Sequence, residues 1–423
     1  MKNFNPWQFT AWVSVFVAMA FTQTAMATQT NESNTLVSSE LITLVKQHLA
    51  NHPELRALKA DLQASKAGVR AADQAIYNPQ LEFDYEDAEV ETKTIGISQT
   101  IDWGGQRNSR TLVADAQLRK QQADYQLSVQ MFINTLLAGL AEHQTGTELV
   151  GLGQQTMKLM QDFKQIAEQR YAAGDLNLVE FNLAKLAYSQ AVMEQASVLS
   201  NATQARENLR SLLGDLPNKL PELPERLPTP EIKQDLDSFL QQLPIVRVQL
   251  ADLDVARQTV DLKKSEKAWD PTISLTAGTE GDADLIGLNL SIPLNIRNTF
   301  GAEVDAAQQQ LIASEQRAHL AFRTQRAALI SNTERYKNLL NAWNNWRENS
   351  RDSVNQQLKL IKQLWEAGDI SASDYLLQLK QALETQASGL ELRNQLWLVA
   401  FDWMSQTNTL DNWLNIKQPT QNK

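Results

Sequence analysis

Tyr77–Glu86 reads YNPQLEFDYE, and 192 residues later Trp269–Gly278 reads WDPTISLTAG. In each, an aromatic residue, a polar residue and a proline lead into alternating apolar and polar positions. Successive side chains of a strand point to opposite faces. Leu81, Phe83 and Tyr85 therefore share one face, and Glu82, Asp84 and Glu86 share the other. Ile273, Leu275 and Ala277 oppose Thr272, Ser274 and Thr276. Ile95, Ile97, Ile101 and Trp103 oppose Thr94, Gly96, Ser98, Thr100 and Asp102, with Gln99 interrupting the apolar side. Ile286, Leu288, Leu290 and Ile292 oppose Gly287, Asn289 and Ser291. Strands of ~9–11 residues with one greasy face and one polar face fit a barrel in a bilayer, apolar to lipid and polar to a water-filled lumen. Tyr77, Trp103 and Trp269 stand at strand ends, where an aromatic girdle belongs.

The chain is written twice. IGISQTI (Ile95–Ile101) recurs as IGLNLSI (Ile286–Ile292) at an offset of 191, and YAAGDLNLVEFNL (Tyr171–Leu183) as WEAGDISASDYLL (Trp365–Leu377) at 194. Three motifs in one order at nearly one offset imply a tandem duplication. Each copy reads helix, strand, strand, long helix, turn, helix. The implied organisation is a signal peptide at 1–27, a first repeat at 28–214, a Pro-rich linker at 215–231, a second repeat at 232–405 and a loose polar tail at 406–423. In the first repeat the patterning predicts a helix over Ser38–Ile76 stopped by Pro79, and strands to Trp103. A proline-free helix follows from Arg107 to Tyr171, then a glycine turn at Ala172–Asp175 and a return helix to Leu213. The second repeat predicts one helix from Thr299 to Trp365, returning to Ser405. A helix of ~65 residues extends on the order of 100 Å.

These long helices carry coiled-coil spacing. Tyr125, Val129, Phe132, Leu136, Gly139, His143, Gly146, Val150, Gly153 and Met157 alternate steps of four and three, as do Val354, Leu358, Ile361 and Trp365. Glycine in a helix interior costs ~1 kcal/mol relative to alanine. Its recurrence at 139, 146 and 153 points to a closely packed neighbouring helix.

Bulk composition narrows the function. With 43% apolar residues the chain can bury a core, and its net charge of −10 argues against nucleic acid and favours cations. The absence of cysteine excludes disulfides, thiolate metal sites, thiol nucleophiles and a lipid-anchored N-terminal cysteine. Lys2, the apolar run Ala11–Phe21 and the small residues Ala25–Ala27 read as a cleavable signal peptide, with Thr28 opening the mature chain. No later run is long and apolar enough for a helical span, so any membrane crossing is made by strands. Four strands cannot close a barrel, and an open edge in lipid leaves backbone groups unpaired. Copies must therefore pool strands: two would give eight and three would give twelve.

YNPQLEFDYED, IGISQTIDWGGQR, LNLSIPLNIRNTFGA, QRYAAGDLNLVEFNLAK and QLWEAGDISASDYLLQLK, in this order and duplicated, resemble the TolC-like outer membrane factors over almost the whole mature chain. The resemblance is strongest to the heavy-metal branch serving cobalt–zinc–cadmium or copper–silver pumps. It implies a mainly α fold with a transmembrane β-barrel. Three protomers would pool their strands into a twelve-strand barrel above a long α-helical coiled-coil barrel. It further implies an exit duct in the outer membrane lipid that spans the periplasm, docked to a periplasmic adaptor and an inner-membrane RND-type pump. Multidrug efflux and type I protein secretion are the alternatives on the same fold, and a structural periplasmic coiled coil is the alternative outside it.

In the family an acidic residue six positions after the turn glycine contributes to a periplasmic gate. Here that residue is Asp374 after Gly368 and Glu180 after Gly174. Threefold symmetry would make each a ring of like charge that favours cations. Asp175 and Asp369 are expected instead to cap the following helices. The turns Tyr171, Ala173, Gly174, Asp175 and Trp365, Ala367, Gly368, Asp369 are the expected adaptor contact, with interhelical packing the competing reading for Tyr171 and Trp365. Glu82, Asp84 and Glu86 are expected to line the barrel lumen near its periplasmic end. His48, His52, His143 and His319 form no metal-ligand spacing, Met157 and Met160 read as packing, and no nucleophile–base pattern occurs. The chain reads as a non-enzyme without cofactor or resident metal.

Overall fold

The computed structural model describes residues 37–232 and 235–416; the expected signal peptide and the last residues of the tail lie outside the described residues. The first repeat comprises α1 (Ser39–Asn51), α2 (Pro53–Ala72), β1 (Gln80–Glu86), β2 (Thr92–Thr100), α3 (Gln106–Ala173) and α4 (Leu178–Leu213). The second comprises α5 (Leu236–Leu240), α6 (Pro244–Ser265), β3 (Thr272–Glu280), β4 (Ala283–Ser291), α7 (Gly301–Asn349), α8 (Arg351–Ala367), α9 (Ala372–Gln406) and α10 (Leu410–Trp413). No described helix is long and apolar enough to cross a membrane.

The strands form one antiparallel sheet in the order β1-β2-β3-β4, so the two repeats join through the β2–β3 pair. The outer edges of β1 and β4 carry no partner strand among the described residues. Below the sheet, α3 packs against α2 and α6 and, farther along, against α4 and α9. Its 68 residues rise ~1.5 Å each, on the order of 100 Å.

The glycine spacing of α3 is answered by α4. A methyl at Gly139 would touch Leu209, one at Gly146 would lie 3.3 Å from the Ala202 Cα, and one at Gly153 would overlap the Gln195 amide. Leu209, Ala202 and Gln195 are themselves seven apart, so two heptad rows meet in antiparallel register. Two apolar cores follow. One centres on Leu136, Leu137, Leu209, Trp343, Trp397 and Phe401, and the other on Phe163, Phe181, Trp365, Tyr375 and Leu379 near the helical turns.

Several expectations need correction. The single helix over Ser38–Ile76 is two helices, because Pro53 disfavours helical backbone at His52 and itself opens α2. The second strand stops at Thr100 rather than Trp103; Asp102 turns to cap α3, accepting from the backbone N–H of Gln106 at 2.7 Å and of Arg107 at 2.9 Å. The helix expected over Thr299–Trp365 breaks at Ser350. The Pro-rich segment is a packed strap rather than a free linker. Leu223 and Leu227 are buried in the first core, and carbonyls of Pro224, Glu225 and Pro228 accept from Trp397, Trp343 and Tyr336. The tail is not loose up to residue 416: Leu410 and Leu414 are buried, and Trp413 packs on Phe401.

Candidate functional site

The ladder register gathers the apolar strand residues into common rows on one face, except Leu285, which pairs with Gly278 on the reverse face. Leu81 faces Ile97, Ile97 faces Leu275 and Leu275 faces Leu288; one row outward, Phe83, Ile95, Ala277 and Ile286 align. Phe83 is 71% exposed and Ile286 80%, so this greasy face has no cover within the protomer. An exposed apolar face of this extent marks a surface that meets a membrane or another protein. At its outer margin Tyr85 aligns with Lys93, whose ammonium lies 5.6 Å from the Tyr85 ring and pairs with Glu91 at 2.6 Å. Gln99, the polar interruption, turns its amide onto the carbonyls of Tyr77 and Thr100.

The reverse face is polar and closely packed. Glu82, Gly96, Thr276 and Gly287 form one row, and Asp84, Thr94 and Gly278 fall in the next. Methyls at Gly96 and Gly278 would overlap the neighbouring strand. The carboxylates do not cluster at the helical end. Gln80 lies nearest the helices and Glu86 pairs with Thr92 beside the far loop, so the alternation spreads Glu82, Asp84 and Glu86 along the whole strand.

The junction between sheet and helices turns on Asp270, which sequence reading missed. It is buried, and its carboxylate accepts from the Tyr77 hydroxyl (2.8 Å), the Trp103 N–H (3.1 Å) and the Gln106 amide (2.8 Å). One residue of the second repeat thus fixes three of the first. Burial and this carboxylate, with Asp102 nearby, push the Tyr77 phenol up to about 12, so it stays protonated as the donor. The signal was available: Asp270 occupies the position of Asn78 in the repeated aromatic–polar–proline motif. Trp103 and Trp269 remain exposed, whereas Tyr77 is half-buried.

The two helical turns are near-copies. Gly174 and Gly368 both have φ of 85°, a conformation that favours glycine, and close the preceding helices. The N–H of Asp175 donates to the Arg170 carbonyl and that of Asp369 to the Leu364 carbonyl, each at 2.9 Å. The capping expected of Asp175 and Asp369 falls to other residues, because each lies two positions before its cap. Asn177 accepts from the Glu180 N–H (2.9 Å) and donates to its carboxylate (2.8 Å). Ser371 does the same for Asp374 at 3.1 and 2.7 Å. Glu180 and Asp374 thus brace their cap residues side chain to side chain rather than through the cap backbone N–H of a capping box, while Asp374 stays exposed to solvent.

The tips are joined. Arg170 lies 4.4 Å from the Trp365 ring and donates to the Trp365 carbonyl at 2.7 Å. Trp365 is only 1% exposed and packs with Phe163 and Tyr375, so packing rather than adaptor contact accounts for its side chain. Tyr171 stacks on Phe181 but remains 41% exposed. Ala173, Gly174, Asp175, Ala367, Gly368 and Asp369 are exposed. Among the described residues no group of histidines and carboxylates has the arrangement of a metal site.

Residues 44–215 match the model of the family described as outer membrane efflux protein. The cobalt-zinc-cadmium resistance protein CzcC of Cupriavidus metallidurans is 27% identical over 286 residues, covering 62% of this chain. The chain spans 65% of the length of that relative. Solved structures share the fold at low identity. CusC matches with a TM-score of 0.73 at 14% identity, over 88% of this chain and 92% of CusC. The CmeC outer membrane channel of Campylobacter jejuni matches at 0.72 and 13%, over 88% and 86% of the two chains. The open state of the MtrE outer membrane channel of Neisseria gonorrhoeae matches at 0.70 and 16%, over 87% and 88%. Residues 44–215 thus match the outer membrane efflux protein family, and the chain as a whole shares the fold of these solved outer membrane channels.

Proposed function

We propose that the protein is the outer membrane channel of a tripartite efflux system, a passive exit duct for heavy-metal cations. The observation that carries this reading is the sheet: an uncovered apolar face, a polar reverse face and two unpaired edges. Three copies joined edge to edge would bury all six edges and give twelve strands, enough to leave a pore. Tyr77, Trp103 and Trp269 would form the inner aromatic girdle, and Glu82, Asp84 and Glu86 an acidic lumen along its length. The exposed parts of both turns would meet a periplasmic adaptor, which links the duct to an inner-membrane RND-type pump. Asp374 and Glu180 would each be repeated threefold at the gate, each carboxylate serving both as cap and as ring charge. The metal cargo rests on the likeness to CzcC; the duct itself carries no recognition motif.

The test is cellular zinc, cobalt, cadmium and copper in a deletion strain and its complemented parent, with a hydrophobic dye alongside. Metal accumulation with unchanged dye is expected. Dye accumulation with unchanged metal would leave the fold standing and move the cargo to multidrug efflux.

A further inference from the structure

Between the two apolar cores, where α7 gives way to α8, lies a charged cavity. A space of about 780 Å³ opens beneath the strap, and one of about 350 Å³ adjoins it; Glu148, Arg351 and Arg393 line both. In a chain of net charge −10, five cationic side chains line it: the buried Arg393 and, exposed at its rim, Arg206, Arg210, Lys219 and Arg351. Three carboxylates oppose them, and two are already engaged. Glu148 takes Arg393, and Glu225 takes Arg351 at 3.2 Å. Arg210 is held by Glu207 at 2.9 Å. Arg206 and Lys219 form no ion pair among the described residues, and only Glu222 remains to face them.

The deepest cation is also incompletely bonded. The Arg393 side chain is 7% exposed and lies on the Trp397 ring at 4.5 Å. Its buried Nε–H has no partner, and neither has the buried indole N–H of Trp346 that lines the smaller space. A buried donor left unmet is costly. Arg206 approaches α3 at His143 and Arg393 at Glu148. Five residues of helix separate those points by about 8 Å. A ligand that serves both ends must therefore carry charges some distance apart. Burial and the Arg206 charge hold the His143 imidazole below the ordinary histidine range, so it adds no positive charge near neutrality.

We propose that this cavity binds a small polyvalent oxyanion of the di- or tricarboxylate class, with Arg206 and Lys219 as its counter-charges and the Arg393 side chain at its inner wall. Such a ligand bridges the strap through Lys219, the first hairpin through Arg206 and the second through Arg393. The inference is independent of the transport reading, because its readout is binding to the folded protein.

The experiment is thermal unfolding of the full detergent-solubilised protein, titrated with citrate and, at matched ionic strength, with inorganic phosphate or sodium chloride. Citrate is expected to raise the midpoint saturably by several degrees, and the shorter phosphate to do so far less. The double variant Arg206→Gln/Lys219→Gln is expected to keep the citrate-free midpoint and lose at least tenfold in citrate affinity by titration calorimetry. Absence of a saturable citrate effect, an equal effect of phosphate, or undiminished affinity in the double variant would each overturn the proposal.

Discussion

The two hairpins share a topology but pack in opposite ways. At one layer of the first, Gly153 on α3 makes room for Gln195 on α4. In the second hairpin the nearby layer holds Trp346 on α7, 193 residues after Gly153, and Gly389 on α9, 194 after Gln195, and there the glycine makes room for the tryptophan. The small residue has changed helices while the layer stays filled. Close-packed interiors conserve volume across a contact rather than residue type at a position. The first hairpin continues this solution along an unbroken α3 through Gly146 and Gly139. The second relies on aromatic side chains, with Trp343 stacked on Trp346 and its indole bound to the strap at Glu225. Its helix breaks at Ser350, one residue before Arg351 reaches the same Glu225.

The strands are where the repeats should behave alike. Ile97→Arg in the first repeat and Leu288→Arg in the second each place a charge on the apolar face, at ~2–4 kcal/mol per copy near the bilayer midplane. Both are expected to abolish assembled, heat-resistant oligomer in the outer membrane fraction. Loss in one repeat alone would show that the two strand pairs do not share one lipid face.

The hairpins should differ. Gly389→Ala drives a methyl into Trp346 and is expected to destabilise by ~1–3 kcal/mol, with partial rescue by Trp346→Leu in chemical denaturation. Gly139→Ala meets Leu209 only at ordinary contact distance and is expected to gain up to ~1 kcal/mol in helix propensity. Equal effects would contradict the reversed packing.

At the turns, Asp374→Asn and Glu180→Gln remove charge while retaining side chains that can still cap. Each is expected to reduce single-channel cation selectivity severalfold with little change in stability. Unchanged selectivity and divalent block in the combined variant would leave these residues as caps alone. The smallest effect belongs to the first hairpin. Because the folded-state pKa of His143 is lowered, the unfolded chain binds more protons between the two pKa values. Stability is therefore present above the ordinary histidine value of about 6.5 and declines as the pH falls toward the folded value. His143→Gln is expected to flatten that slope in pH-resolved thermal melts.

The sheet and the duplication were legible because period-2 alternation and repeated motifs are local signals. The strap was misread because its prolines outweighed its leucines. Leu216, Leu220, Leu223 and Leu227 each precede a proline, and all four pack into or against the first core. Pro53 announced the break after α1, whereas nothing around Ser350 distinguishes it from the helix on either side. Asp270 was hidden because its three donors come from the other repeat, 164 to 193 residues away.

The central claim is that copies of this chain close a barrel by pairing β4 of one with β1 of the next. The chain has no cysteine, so engineered pairs report without background. Phe83→Cys on β1 combined in turn with Ile286→Cys, Leu288→Cys or Leu290→Cys on β4 samples three registers of that edge. Oxidation of cells bearing the paired register is expected to give a disulfide ladder that ends at the trimer. Absence of intermolecular cross-links in all three, or β1–β4 bonds formed within single chains, would contradict the account.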